Sequence, residues 1–441
     1  MMNMGIYFRL GAWRALTSQI LLWKGFYRPM GAGFYLPLYH WFGLNPAPFQ
    51  AAILALLAAN VYLTFRLAKA LRCGGLVSAL AAVAIAYHAG LTSLVYQIDM
   101  VYDVLCFGFF VGALLLYVHI RGQRRYPRLQ ETTAFLALYI CALNSKEMAF
   151  TLPAILLAYE CFYQFSRSPE RKAPEGWVRG SGILILTMVG LGLLDLYGKK
   201  SGVMPLLGNP DYRPVFSLRR FFEFQSNSLH DLLGAFGTPG WRGVLAIWAL
   251  VTYLAWRRDR PVLRFCWAYM LITPAPIAFL VGRTQGSLYI VLAGWAIFAA
   301  VVLVDVAQKA AGFLAQEPVF ERLGRTWLFA LLIGGSVLLW GNRMRYLKTA
   351  LVEPAAAIQG IQTSEVIEQL RQLDARVPPH SQVVFLDDPF EDWDMTFIGT
   401  LWFRDRSIQV HTQRLERLPE KDLARMDYVF DFRDGRLVRI K

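Results

Sequence analysis

The sequence predicts an all-α polytopic membrane domain of about ten transmembrane helices, followed by a small C-terminal α/β soluble domain. Three observations predict it. Of 441 residues, 56% are hydrophobic and only 17% charged, too greasy for a soluble chain with one ordinary core per domain. The apolar residues gather into runs of the length needed to cross a bilayer. Arginine and lysine load every second connector between those runs and are nearly missing from the others.

The runs, in order, are Pro48–Lys69, Gly75–Leu91, Val101–Ile120, Glu131–Asn144, Met148–Phe165, Gly180–Gly198, Trp241–Trp256, Val262–Gly282, Ser287–Val306 and Thr326–Asn342. The fourth is short, and charges at Lys146 and Glu147 separate it from the fifth, so those two read as a close hairpin. Arg66, Lys69 and Arg72 follow the first run, and Arg121, Arg124, Arg125 and Arg128 the third. Arg167, Arg171, Lys172 and Arg179 follow the fifth, Arg257, Arg258, Arg260 and Arg264 the seventh, and Lys309, Arg322 and Arg325 the ninth. The intervening short connectors hold only Lys146 and Arg283. Lysine and arginine near span ends stay cytoplasmic, so the bare connectors are expected outside.

Three stretches lie outside the spans: a juxtamembrane segment at 1–47, an external loop at 199–240 and an external domain at 346–441. The first has an amphipathic pattern at Tyr7–Trp23; the second carries an amphipathic run, Ser217–Leu233. In the third, Thr363–Arg376 reads as a helix with Ser364 as its N-cap. Gln382–Leu386, Ser407–Val410, Asp427–Phe432 and Leu437–Ile440 read as strands, the last two joined at Asp434-Gly435 as a tight hairpin.

The formal charge of +14 follows from membrane insertion polarity, and no basic face coincides with a nucleic-acid reading motif, so nucleic acid is excluded as a partner. The five cysteines lie in or beside spans without a CxxC pair, which disfavours disulfides and structural zinc. The histidines lack paired ligand spacing, Asp392-Trp393-Asp394 reads as an acidic surface loop, and no P-loop is present.

Ionisable groups at membrane depth or at its lip are costly and therefore mark candidate sites. Asp99 and Asp103, spaced i, i+4 at the external start of the third span, read as paired acid/base or metal-binding carboxylates. Lys146 and Glu147 stand in the next external connector, placed either to touch a phosphate and a sugar hydroxyl or to neutralise one another. Arg28 and Arg283 are external-lip guanidiniums, suited to gripping phosphate or to snorkelling toward headgroups. Arg219 and Arg220 read as lipid anchors. A divalent cation is the one cofactor these residues suggest, with no dedicated metal-ligand set.

Tyr27-Arg28-Pro29, then Tyr39-His40-Trp41-Phe42-Gly43-Leu44-Asn45-Pro46 and Phe49, resemble the stretch after the first external loop of bacterial GT-C glycosyltransferases, closest to the protein O-mannosyltransferase type. Asn144-Ser145-Lys146-Glu147 is similar to their outer-lip "SKE", and Arg283 with Tyr289 to the stretch opening a late span. The resemblance covers about residues 25–300. It implies an inner-membrane enzyme that passes a sugar from a polyprenyl-phosphate carrier to an acceptor on the outer face. It also implies a carboxylate base in the first external loop, and Arg28, Lys146, Glu147, Arg283 and Tyr289 at the substrate. No Asp or Glu precedes Asp99. An upstream span and acidic loop missing from this sequence would account for that; otherwise Asp99 or Asp103 serves as base or the protein is inactive. A poor span at Tyr7–Trp23 is the alternative start. Outside this class, a transporter or lipid flippase and a non-catalytic assembly protein remain open.

Overall fold

The computed structural model describes residues 7–8, 10–17, 27–167, 176–200, 213–234, 237–280, 285–317, 319, 323–390, 394–405 and 407–441. Two compact units emerge: one comprises Ile20–Met30 and Gln50–Val352, the other Met1–Gln19, Gly31–Phe49 and Glu353–Lys441. The second unit thus groups both N-terminal segments with the tail, and the tail itself begins at Glu353 rather than at 346.

Helices α1 (Ala12–Thr17) and α2 (Met30–Phe42) come first, and α3 (Pro46–Ala70) opens the apolar bundle. There follow α4 (Gly75–Tyr87), α5 (Gly90–Tyr96), α6 (Val101–Gly122), α7 (Leu129–Leu143), α8 (Leu152–Tyr159) and α9 (Ile183–Lys200). After α10 (Leu218–Leu233) come α11 (Trp241–Arg257), α12 (Pro261–Ile272), α13 (Tyr289–Leu314) and α14 (Gly324–Leu347). The core is built on α6 and α13, most of whose apolar residues are buried; Phe107 of α6 stacks on Tyr289 of α13 with ring centroids 4.3 Å apart. On α9 and α14 large residues such as Leu186, Leu193, Leu338 and Leu339 face outward. A helix satisfies its own backbone hydrogen bonds, so an apolar outer face on it suits hydrocarbon.

The expectation of ten spans is corrected here. Among the described residues five helices are long and apolar enough to cross a membrane, or six if the bent pair α4–α5 counts as one. Each predicted run does fold as helix, but several stop early. The 15 residues of α7 and 12 of α12 rise only about 22 and 18 Å at 1.5 Å per residue, short of a hydrocarbon core of about 30 Å. α7 ends at the polar Asn144–Lys146 turn, and α12 at Thr273-Pro274, where turns replace helix. Between α4 and α5 the axis bends by 53°. His88 fills the break: its Nδ1 accepts from Gly90 N–H at 3.1 Å, and Nε2 faces Leu232 O at 3.0 Å.

The predicted amphipathic run is α10, capped by Ser217, whose hydroxyl accepts from Arg220 N–H, and ended by Gly234 in the left-handed conformation. Of its two predicted lipid anchors, Arg219 pairs with Glu223 at 2.9 Å. Arg220 is instead tied inward, donating through Nε to Leu280 O at 3.2 Å. Most of Tyr7–Trp23 beyond α1 lies outside the described residues.

In the other unit, α15 (Glu353–Gln372) leads to β1 (Gln382–Leu386), α16 (Asp394–Phe403), β2 (Gln409–Thr412), the short α17 (Gln413–Glu416) and α18 (Glu420–Leu423), then β3 (Tyr428–Arg433) and β4 (Arg436–Arg439). The sheet order is β2-β1-β3-β4, with β1 parallel to both neighbours and β4 antiparallel to β3. Asp434 and Gly435, at φ 50° and 74°, make the tight turn. The tail helix starts earlier than expected. Good helix formers at Ala355–Ala357 carry the helix through, and Ser364, instead of capping, donates within it to Gly360 O at 2.8 Å. Val366 and Leu370 of α15 and Met395 and Ile398 of α16 bury the face of the sheet bearing Val383, Phe385 and Phe430.

Gly399 marks how closely α16 approaches that face. A Cβ there would lie 2.8 Å from Val410 Cγ1 and 3.1 Å from Phe385 Cε2. Gly399→Ala is therefore expected to destabilise the domain by about 1–3 kcal/mol through overpacking. Thermal unfolding of the full chain followed by tryptophan fluorescence checks this; an unchanged transition would mean that the helix shifts freely.

Candidate functional site

At one end of the bundle, four separate elements deliver charged side chains to one buried place, and a fifth delivers a serine hydroxyl. Arg28 precedes α2; Asp103 stands in the first turn of α6; Lys146 and Glu147 follow α7; Asp195 and Lys199 occupy the last turns of α9; and Ser287 sits in the 3₁₀ turn Gln285–Leu288 before α13. Lys146 leaves the helix in an extended conformation, φ −158° and ψ 149°, and that breaks α7 where its charge is needed.

Lys146 Nζ lies 2.5 and 2.6 Å from the two carboxylate oxygens of Asp103 and 3.5 Å from Ser287 Oγ. Arg28 grips Glu147 with a fork, Nη2 to Oε2 at 2.9 Å and Nε to Oε1 at 3.4 Å, while its guanidinium lies over the Tyr102 ring at 5.2 Å. The same Oε1 is 3.3 Å from Lys199 Nζ. Lys199 also donates to Leu143 O at 3.3 Å and pairs with Asp195 Oδ2 at 3.1 Å, the last at an angle outside that of a hydrogen bond. Burial opposes ionisation of Glu147, but Arg28 and Lys199 outweigh it and hold this connector carboxyl below the usual carboxylate range. Arg28, Lys146 and Lys199 thus face Asp103, Glu147 and Asp195, and the cluster is neutral as it stands.

The structure brings Arg28, Asp103, Lys146 and Glu147 together, as candidate residues chosen from sequence. It changes their partners. Lys146 and Glu147 do not neutralise one another; each meets a charge from a distant element. Asp99 and Asp103 are not an equivalent pair: Asp99 stands in the 3₁₀ turn Ile98–Met100, half-exposed and without an ion pair among the described residues, whereas Asp103 is buried against Lys146. Asp99 still lies close enough to act on Asp103 electrostatically. Tyr289 is a packed ring on Phe107, one helical turn beyond Asp103, rather than a member of the cluster. Arg283 lies outside the described residues.

Lys199 was missed, and Asp195 was weighed only as a transporter acid near a span end, not as its partner. Their signal was available: an acid and a base spaced i, i+4 in an otherwise apolar run, the one spacing that lets them meet within the helix. Among the described residues no three His, Cys, Asp or Glu side chains come together as metal ligands, so a divalent cation finds no ready cage there.

A second buried network closes the opposite ends of α6 and α8. Glu160 accepts from Arg121 Nε at 2.7 Å and Nη2 at 3.0 Å, from Tyr117 Oη at 2.7 Å and from Trp177 Nε1 at 3.0 Å. It sits in a π-helical turn, Glu160–Gln164, that continues α8. All four donors converge on two oxygens, leaving no room for a substrate, and the network reads as a clamp.

No protein family model matches the sequence, and no curated protein matches it.

Proposed function

We propose that the chain is a membrane glycosyltransferase of GT-C type that transfers a sugar from a polyprenyl-phosphate donor to an acceptor on the outer face of the inner membrane. The observation that carries this reading is the buried cluster itself. It stands at the end of the bundle reached by the short connectors poor in arginine and lysine, opposite the end where α6 runs into Arg121, Arg124, Arg125 and Arg128. In this reading the C-terminal domain lies outside with the acceptor.

The chemistry assigns distinct work to the residues. The acceptor hydroxyl oxygen bonds to the anomeric carbon as the bond from that carbon to the phosphate oxygen breaks, inverting the centre. The electron pair leaves on the polyprenyl phosphate, where Arg28 and Lys146 receive the growing charge, with Arg283 a further guanidinium by its sequence position. The acceptor proton passes to Asp99, the accessible carboxylate. Asp103 and Glu147 hold the two cations in place until phosphate arrives, and Tyr289 stiffens the wall behind Asp103 through Phe107.

The full chain in lipid nanodiscs, given labelled polyprenyl-phosphate hexoses and candidate acceptors, is expected to release polyprenyl phosphate. Asp99→Asn is expected to lower turnover by about 10²- to 10⁴-fold, the usual worth of a general base, with donor binding retained. Undiminished turnover would remove Asp99 as the base.

The full burial of Asp195, Lys199 and Glu160 favours a second reading, a transporter with a charge relay through the bundle. That reading requires flux of a solute or lipid across sealed liposomes with no chemical change, which the same preparation can report.

A further inference from the structure

We infer that Lys199 is a positioning residue that takes over Glu147 when Arg28 turns to an incoming phosphate. This inference rests on the phosphate-lipid reading above. Glu147 Oε1 is shared, 3.4 Å from Arg28 Nε and 3.3 Å from Lys199 Nζ, while the short bond runs from Arg28 Nη2 to Oε2 at 2.9 Å. A carboxylate placed this way can shift its charge from one cation to the other without moving far.

The two cations differ in what they can reach. Lys199 is fully buried, in the last turn of α9, and is held by Leu143 O and Asp195. Arg28 and Lys146 retain slight exposure, 8% and 12% of their side chains, so they can meet a ligand and Lys199 cannot. If Arg28 swings to phosphate, Glu147 would be stranded as a buried anion, a state that apolar surroundings punish heavily. Lys199, already within 3.3 Å, removes that penalty. Asp195 already balances the charge of Lys199, so Lys199 does not need Glu147 for its own neutrality. With Lys199 absent, Glu147 has one cation left and competes for it against the ligand.

The test uses the full chain in nanodiscs with farnesyl phosphate as probe. Removing Lys199 and Asp195 together, as D195N/K199M, keeps the cluster neutral. It is expected to weaken binding by roughly tenfold, within the range of coupling between close charges. In the E147Q background the same pair of substitutions is expected to change affinity by less than about twofold, because no carboxylate then competes for Arg28. Equal weakening in both backgrounds, or none in either, overturns the hand-over. E147Q alone, an isosteric change that keeps the packing, must tighten binding by several-fold, and unchanged or weaker binding there also overturns it. Failure of the wild-type chain to bind farnesyl phosphate at all would instead remove the phosphate-lipid reading on which the inference stands.

Discussion

Glu160→Gln is expected to destabilise the protein by about 3–5 kcal/mol, the largest stability loss of any single conservative change we foresee. The reason is where the partner charge is left. Arg121 is 3% exposed and Glu160 not at all, and the guanidinium reaches both carboxylate oxygens, so the amide would leave a buried cation with half a fork and no counter-charge among the described residues. Tyr117 donates to Oε1 and Trp177 to Oε2, so one of the two loses its acceptor in the same step. The stacking of Arg121 on Tyr126, 4.4 Å from the ring centroid, and its bond to Arg125 O at 3.0 Å remain, but neither neutralises it. The double variant R121M/E160M should recover most of the loss, because apolar side chains of similar volume remove both desolvation penalties together. Thermal unfolding in detergent reads both; a wild-type transition for E160Q would mean that water reaches this clamp.

The fold was legible wherever one physical constraint acts alone. Backbone satisfaction in lipid favours helix, and every apolar run is helical over at least part of its described length. The Asp434-Gly435 turn and the alternation around it placed the hairpin within a residue. Composition alone cannot count spans, because whether an apolar run continues depends on what interrupts it. At Asn144–Glu147 the interruption is functional chemistry, at Thr273-Pro274 it is the chain's geometry, and at His88 it is one imidazole that satisfies a broken helix. The start of the tail helix was misplaced for a different reason: Ser364 has the right side chain for a cap, but a cap needs a nonhelical neighbour, and the alanines before it supply helix instead.

The site was legible as an address but not as a circuit. Rare charges in bare connectors gave Arg28, Asp103, Lys146 and Glu147, since each is expensive at such depth. Which acid meets which base depends on how α6, α7 and α9 pack, and sequence neighbours such as Lys146 and Glu147 invite the wrong pairing. Lys199 escaped because it sits at a helix end, where lysine is ordinarily a surface residue. Its full burial is a property of the packed bundle alone.

Arg28→Ala is expected to lower kcat/KM for the polyprenyl-phosphate sugar by about 10²- to 10³-fold, the effect of deleting one preorganised donor to a developing anion. Arg28→Lys should recover little of it, because an ammonium supplies no planar fork and does not match the guanidinium's seat over Tyr102. The same substitution discriminates a substrate-binding arginine from a merely structural one. Glu147 keeps Lys199 at 3.3 Å when Arg28 is gone, so its charge stays compensated, whereas Arg121 has no second counter-ion among the described residues when Glu160 is changed. R28A should therefore melt well above E160Q while losing far more activity. Were R28A to unfold as early as E160Q, with activity falling only in step with the folded fraction, Arg28 would be a structural ion-pair partner and the phosphate site would have to lie elsewhere.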